Sequence, residues 1–396
     1  MREQTGADYS FKVLEYAQLK ALVPEIGPRV AAATSACQHG LDVALLDEQA
    51  VPGGQIGGQS RTLRAAKILL ATGAQERPVP FPGWTLPGVM LLLIAWQLHK
   101  AGGPISAVLD TTPSANYFKA LRHGVGALRG WRMLLKGLGC LLSLRKAGIK
   151  MRSGVTQLRA YADSSGRLAQ VHFQHQGRSQ LINCQSLLVH QGVVPNVQLT
   201  CVMDARHSWH EQQQCWHPQI DAGGETSING VFVAGDSAGI GGALAAEHFG
   251  RLTACQVACQ LGRLSSTERD RLARPVRQTL GGLMAIRPFL DVLYQPAAEF
   301  LRPADDTIVC RCEEVSAGDI RRFVGVGCSG PNQTKAFSRA GMGLCQGRMC
   351  GLTLAQIIAA ERNVDIEQVG YYTIRAPIKL LSLGELASLV SRGGKQ

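Results

Sequence analysis

Residues 310–350 read CRCEEVSAGDIRRFVGVGCSGPNQTKAFSRAGMGLCQGRMC. Cys310 and Cys312 form a Cys-x-Cys pair, 32 residues follow, and Cys345 and Cys350 close the stretch. Two pairs of soft thiolate donors on one short segment can converge on a single metal centre. A one-residue gap is unlike the wider spacing of zinc knuckles, so iron-sulfur ligation is favoured over zinc. Four thiolates around two ferric irons and two sulfides leave net negative charge, which grows on reduction. Arg311, Arg321, Arg322, Lys335, Arg339 and Arg348 lie in or between the ligand segments. As cations near the sulfurs they would raise the potential; as solvated surface charges they would do little. Ser-Ala-Gly-Asp at Ser316 predicts a capped helix ahead of Ile320, Phe323 and Val324. A second helix is expected over 352–361, with Leu354, Ile357 and Ile358 on one side and its first amides toward the cysteines.

The rest of the composition bounds the chemistry. At 396 residues and 45% hydrophobic content, the chain can carry two or three domains of about 100 to 200 residues each. Its 45 glycines cluster in short runs that suit tight turns and close backbone approach to a ligand. A formal charge of +12 suits anionic cofactors, an acidic partner or a membrane surface. Nucleic acid is disfavoured, since no long Lys/Arg run or RNA-binding signature is present. Twelve cysteines without a secretion signal point to a reducing compartment and metal ligation. Cys37, Cys140, Cys184, Cys201, Cys215 and Cys328 read as core or surface thiols, and Cys255 and Cys259 as neighbours on one helix face. No Cys-x-x-Cys pair signals a redox disulfide. The longest apolar run, Val89 to Leu98, has about half the length that a membrane span needs.

From Leu22 the pattern reads strand, turn, alanine-rich helix, strand. Asp47 or Glu48, at the end of that second strand, stands where a dinucleotide fold places its ribose-binding acid after Gly27. The glycine loop is altered: Glu25 and Val30 occupy two of its glycine positions, which leaves an ordinary βαβ unit as the alternative. Further along, Pro52, Gly53, Gly54, Gln55 and Ile56 follow the acidic residue and Gln49. Residues 66–74 read as a buried strand running into a turn at Thr72 and Gly73. Residues 230–236 read as another strand, ending in Gly235 and Asp236, with Gly241 and Gly242 beyond. Strand-then-Gly-Asp beside a helix start suits a flavin, Asp236 bonding a ribityl hydroxyl and the following amides facing phosphate.

The segments LLDEQAVPGGQI, LLATGAQERPVPFPGW, VLDTTP, HQGVVPN, VFVAGDSAGIGG, AIRPFLD, DDTIVCRCEEV, KAFSRAGMGLCQGRMCG and GYYTIRAPIK carry a resemblance. Together they resemble the alpha subunit of heteromeric amine dehydrogenases. That family includes opine (octopine and nopaline) oxidases, hydroxyproline and proline dehydrogenases, and a component of hydrogen cyanide synthase. The resemblance covers roughly residues 37 to 390. It implies an α/β flavoprotein with two dinucleotide-binding domains, similar to glutathione reductase, plus a small mainly helical [2Fe-2S] domain like bacterioferritin-associated ferredoxin. On that basis residues 1–75 and 190–262 are expected to form the FAD-binding-type domain and 76–189 a degenerate NAD-binding-type domain. Residues 263–298 become a helical connector and 299–396 the [2Fe-2S] domain with its tail. The implied cofactors are a [2Fe-2S] cluster on Cys310, Cys312, Cys345 and Cys350, FAD on the glycine turns, and FMN at the subunit interface. The implied partners are a flavin-containing beta subunit that oxidises the substrate C-N bond and a small ferredoxin-like gamma subunit.

Two departures qualify the resemblance. PGGQIGG at 52–58 runs almost directly into the strand at 61–73, and a strand with a second glycine turn is missing after PGVM at 87–90. Without that loop the second unit has little means of holding NAD(P)H, so a nicotinamide-dependent reductase is disfavoured. His190 is expected to be packed or flavin-adjacent rather than catalytic. Residues 114–153 are basic and helical, and a solvated, partner-facing surface is preferred there to membrane docking. The expected location is cytoplasmic, with any membrane association peripheral. The leading reading is an electron-transfer subunit of a flavin and iron-sulfur dehydrogenase. Its alternatives are a structural iron-sulfur subunit that has lost dinucleotide binding, and a zinc-stabilised scaffold.

Overall fold

The computed structural model describes residues 31–43, 65–91 and 95–378, in an α/β architecture. Gly27, Asp47, Glu48, Gln49, Gly53, Gly54, Gln55 and Ile56 lie outside the described residues, as does the altered loop from Glu25 to Val30.

Helix α1 (Ala31–Gln38) precedes strands β1 (Ile68–Leu70), β2 (Ala74–Glu76) and β3 (Val89–Leu91), helix α2 (Ala95–Lys100) and strand β4 (Ala107–Asp110). Helices α3 (Ser114–Leu121), α4 (Gly124–Arg129) and α5 (Trp131–Lys146) lead into β5 (Lys150–Ser153). Strands β6 (Thr156–Ala162), β7 (Leu168–His175), β8 (Arg178–Asn183), β9 (Leu187–Val189) and β10 (Val193–Pro195) follow. Then come α6 (Gln198–Val202), the hairpin β11 (His207–His210) and β12 (Cys215–Pro218), β13 (Val231–Val233) and α7 (Ala243–Gln260). Helices α8 (Ser266–Met284), α9 (Arg287–Leu293) and α10 (Ala298–Leu301) connect to the C-terminal unit. That unit holds β14 (Ile308–Cys310), β15 (Val315–Ser316), α11 (Ala317–Gly325), α12 (Pro331–Ser338), α13 (Gly351–Arg362) and α14 (Ile366–Val369).

Strands far apart in sequence make the parallel pairs. β1 lies beside β13, with Leu70 opposite Val233, and β3 lies beside β9. Runs such as Val231-Phe232-Val233, buried throughout, are what a parallel strand covered on both faces requires. Helix α1 packs on α7, where Gly250 allows the approach: a Cβ there would lie 3.2 Å from the Ala32 nitrogen. β2 pairs antiparallel with β10 and so brings the chain back beside the first unit. β6, β7 and β8 form an antiparallel meander whose Val171 and Phe173 point into a core shared with Val79, Trp84 and Phe300.

One expectation is corrected. A strand does precede α2, because Val89 and Leu91 find β9 as a partner and extend the chain before the helix. It is short, and no glycine lies between Met90 and Lys100.

The C-terminal unit is organised by α13. Leu354, Ile357 and Ile358 are buried against Ile320, Val309 and Tyr372. The helix spans Gly351–Arg362, one residue beyond the expected limits at each end. At α11, Ser316 Oγ accepts from the Asp319 amide at 3.1 Å while Asp319 Oδ2 accepts from the Ser316 amide at 3.1 Å. This is the reciprocal cap that the sequence predicts. Ser316→Ala is expected to destabilise this unit by about 1 kcal/mol, read as a lower denaturant midpoint with an unchanged slope.

Candidate iron-sulfur and nucleotide sites

β14 ends at Cys310, and the turn into β15 carries Cys312; the loop between α12 and α13 carries Cys345 and delivers Cys350 as the residue before α13. The two loops touch. At Gly343 a Cβ would lie 2.2 Å from the Cys312 Cβ and 3.2 Å from its Sγ, so only glycine permits the contact. The four cysteines come together as pairs: Cys310 is hydrogen-bonded to Cys350, and Cys312 to Cys345. Cys345 also lies within electrostatic range of Cys350. Cys310 and Cys350 are buried, Cys345 is half-buried and Cys312 is exposed, so the group has an inner and an outer side.

Its electrostatics favour thiolate at Cys310 and oppose it at the buried Cys345 and Cys350. The hydrogen bond from Cys350, joined by the backbone amides of Gly341, Glu313 and Cys312, pulls the Cys310 thiol down to about 6. Cys350, donating that bond and buried, is held well above the ordinary thiol value. Burial raises Cys345, while the Met349 and Gly347 amides oppose the rise. Amides converging on sulfur stabilise bound thiolate, and Cys350 at the start of α13 adds the positive end of the helix dipole. Among the described residues, no three or more His, Cys, Asp or Glu side chains gather around a single-ion position. Paired thiols aimed at by amides fit a two-iron centre, in which each iron takes two sulfurs. Four cysteines are also the donor set of one tetrahedral zinc ion.

Tyr372 frames the inner side. Its hydroxyl donates to the Ala340 carbonyl at 3.0 Å and sits 3.8 Å from Cys350 Sγ. Gly341 and Gly347 press on its ring, and both hold positive φ. Lys335 Nζ covers the ring at 4.6 Å. Sequence reasoning missed Tyr372, although the tandem Tyr371-Tyr372 after the last helix was a usable signal.

The cationic expectation is corrected for three residues. Arg321 pairs with Asp305 and Glu361, Arg322 with Asp319, and Arg339 with Glu313, so nearby carboxylates neutralise them. Arg311 instead donates to the Thr85 carbonyl at 3.2 Å, and Arg348 to the Ile378 carbonyl at 3.1 Å. Lys335 keeps an electrostatic interaction with Cys350.

The nucleotide-type turns lie close by. Thr72 Oγ1 donates to the Asn196 carbonyl at 3.0 Å, and the Asn196 amide to the Gly73 carbonyl at 3.0 Å, which fixes the turn after β1. After β13, Asp236 Oδ1 accepts the amides of both Gly241 and Gly242 at 2.9 Å. Those two amides therefore organise the start of α7 around Asp236. His190 Nδ1 lies 2.6 Å from Glu76 Oε2, which gives it a pairing role. Two residues beyond Gly73, Gln75 Nε2 donates to the Arg348 carbonyl at 3.0 Å, joining the turn to the cysteine loop. Trp84 Nε1 donates to the Ile308 carbonyl and ties the second unit to β14. Beside it, a cavity of about 440 Å³ is walled by Phe81, Trp84, Val89, Leu91 and Val189, with Arg311 at its edge. Burial pushes the Cys201 and Cys215 thiols up to about 12, so both read as inert core groups.

Residues 305–389 match the sarcosine oxidase A3 domain family. An opine oxidase subunit of Rhizobium meliloti (strain 1021) is 38% identical over 83% of this chain and 78% of its own length. Hydrogen cyanide synthase subunit HcnB of Pseudomonas aeruginosa is 31% identical over 72% of this chain and 68% of its own. The fold resembles the crystal structure of L-proline dehydrogenase from P. horikoshii, with a TM-score of 0.58 and 18% identity. The alignment covers 81% of this chain and 58% of that one.

Proposed function

The chain belongs to the family of these opine oxidase subunits, and on that premise we propose that it is the electron-transfer component of a heteromeric flavin and iron-sulfur oxidoreductase. The substrate C-N bond, in an amino acid, imino acid or opine, is oxidised in a partner subunit. The observation that carries this reading is the pairing of four cysteines, two of them amide-assisted, beside a flavin-type turn, bridged by Gln75 and Arg348.

A flavin supplies two-electron chemistry and a [2Fe-2S] cluster one-electron chemistry when bound. Cys310, Cys312, Cys345 and Cys350 would hold the cluster, with the amides of Gly341 and Glu313 on Cys310 and that of Met349 on Cys345. Tyr372 and α13 keep water from the inner pair. Thr72, Gly73, Gly235, Asp236, Gly241 and Gly242 would contact FAD from the described turns, and from sequence alone Gly27, Asp47 or Glu48, Gln49, Gly53, Gly54, Gln55 and Ile56 are assigned to the same cofactor. The exposed Cys312 side, rimmed by Met342 and Leu344, is the side from which a partner would reach a bound cluster. In this reading residues 1–75 and 190–262 hold FAD, 76–189 is a degenerate second unit, and 299–396 is the cluster domain.

Asp236→Ala is expected to free the Gly241 and Gly242 amides, loosen the start of α7 and cut bound flavin several-fold. Flavin released by heat and counted per chain checks it. One observation favours a structural subunit without flavin: Asp236 already occupies the amides that would face phosphate. Flavin near one equivalent in the purified chain excludes that second reading. Iron and acid-labile sulfide per chain test the cluster separately.

A further inference from the structure

Helix α5 buries a single residue, Leu144, along its 16-residue length. A helix in a globular protein normally turns its apolar stripe to the core and its charges to water. Here the stripe itself faces outward: Trp131, Leu135, Leu138, Leu141 and Leu142 fall on one side at helical spacing and are all exposed. The two preceding helices continue it, with Phe118 75% and Leu128 74% exposed. Looseness is not the cause, because the lobe is anchored from behind. Buried Asn116 donates to the carbonyls of Leu293 and Gln295 at 3.2 and 3.1 Å, and Gly126 and Gly130 press on Ala285 and Ile286.

The charge around this face has one sign. Residues 111–162 contain ten Lys and Arg and no Asp or Glu. Arg132, Lys136 and Lys146 lie along one edge of the leucine stripe, and none of them forms an ion pair among the described residues. A Leu, Phe and Trp stripe bordered by unpaired Lys and Arg is the composition of a helix that lies in a bilayer interface. The core of a protein interface is depleted in charged residues, Lys among them. No helix among the described residues is long and apolar enough to cross a membrane.

We infer that α3, α4 and α5 form a monotopic docking surface for an anionic phospholipid bilayer. The leucine stripe enters the acyl boundary, and the flanking Lys and Arg contact lipid phosphates. This reading competes with the expectation of a solvated, partner-facing surface.

The test is sedimentation of the purified chain, and of its co-expressed complex, with vesicles of phosphatidylcholine alone or mixed in equal parts with phosphatidylglycerol. Expected are retention on the anionic vesicles that falls with salt and weak retention on the neutral ones. In Leu138→Glu/Leu142→Glu, retention should drop by at least about tenfold. Arg132→Gln/Lys136→Gln, which leaves the stripe intact, should lose about tenfold on anionic vesicles only, and it decides the question if the first pair fails to fold. Wild-type chain that stays off anionic vesicles, or both variants bound as tightly as wild type, overturns the inference. So does loss of the co-purifying partner from L138E/L142E with vesicle binding intact, which assigns the face to a protein.

Discussion

Cys350→Ala is expected to abolish the iron and acid-labile sulfide content of the purified chain. The residue is fully buried, shares a hydrogen bond with Cys310 and ends the loop from which α13 starts. Its loss removes the group that lowers the Cys310 thiol most, so Cys310 rises again and stays a neutral buried thiol without its partner. The truncated side chain also leaves a small void in the core of this unit, which should melt at a lower temperature. Cys328→Ser is the control. That thiol is buried in the same stretch, but its neighbour is the Thr334 hydroxyl at 3.4 Å, outside the ligand group. It should retain full iron and sulfide. Equal loss in both variants would mean that iron content follows general stability and not ligation.

The second large effect is expected at Tyr372. The ring is 2% exposed and wedged between Gly341 and Gly347, so Tyr372→Ala opens a cavity under the cysteine loop. Truncating a buried aromatic costs about 3 to 5 kcal/mol. Tyr372→Phe keeps the packing and removes the bond to the buried Ala340 carbonyl, for a smaller cost of about 1 to 3 kcal/mol. Thermal unfolding should rank wild type, Phe and Ala in that order. A Phe variant as damaged as the Ala variant would place the stabilisation in the hydroxyl and not the ring.

How much of this could be read from the chain depends on the range of the interactions. The cap at Ser316 and the buried side of α13 were legible because both are written within a few residues. The apolar Val231-Phe232-Val233 run announced a buried strand, though its partner 163 positions earlier could not be read from it. Arg321 shows the limit. Its carboxylates come from 16 and 40 residues away, so sequence left it a free cation beside the cysteines. Tyr372 was hidden for the same reason, since it reaches the cysteines only after α13 and α14 have turned the chain back. For α5, sequence gives the stripe and the basic flank; only packing reveals that the stripe points away from the core.

The central claim is that the four cysteines hold a two-iron centre in an electron path. EPR of the dithionite-reduced chain in its co-expressed complex, beside its Cys345→Ser variant, tests that most directly. The predicted result is a reduced-state signal of about one spin per chain, accompanied by visible absorption that bleaches on reduction, both lost in the variant. A silent spectrum from protein carrying stoichiometric zinc, or a signal unchanged by Cys345→Ser, would contradict it.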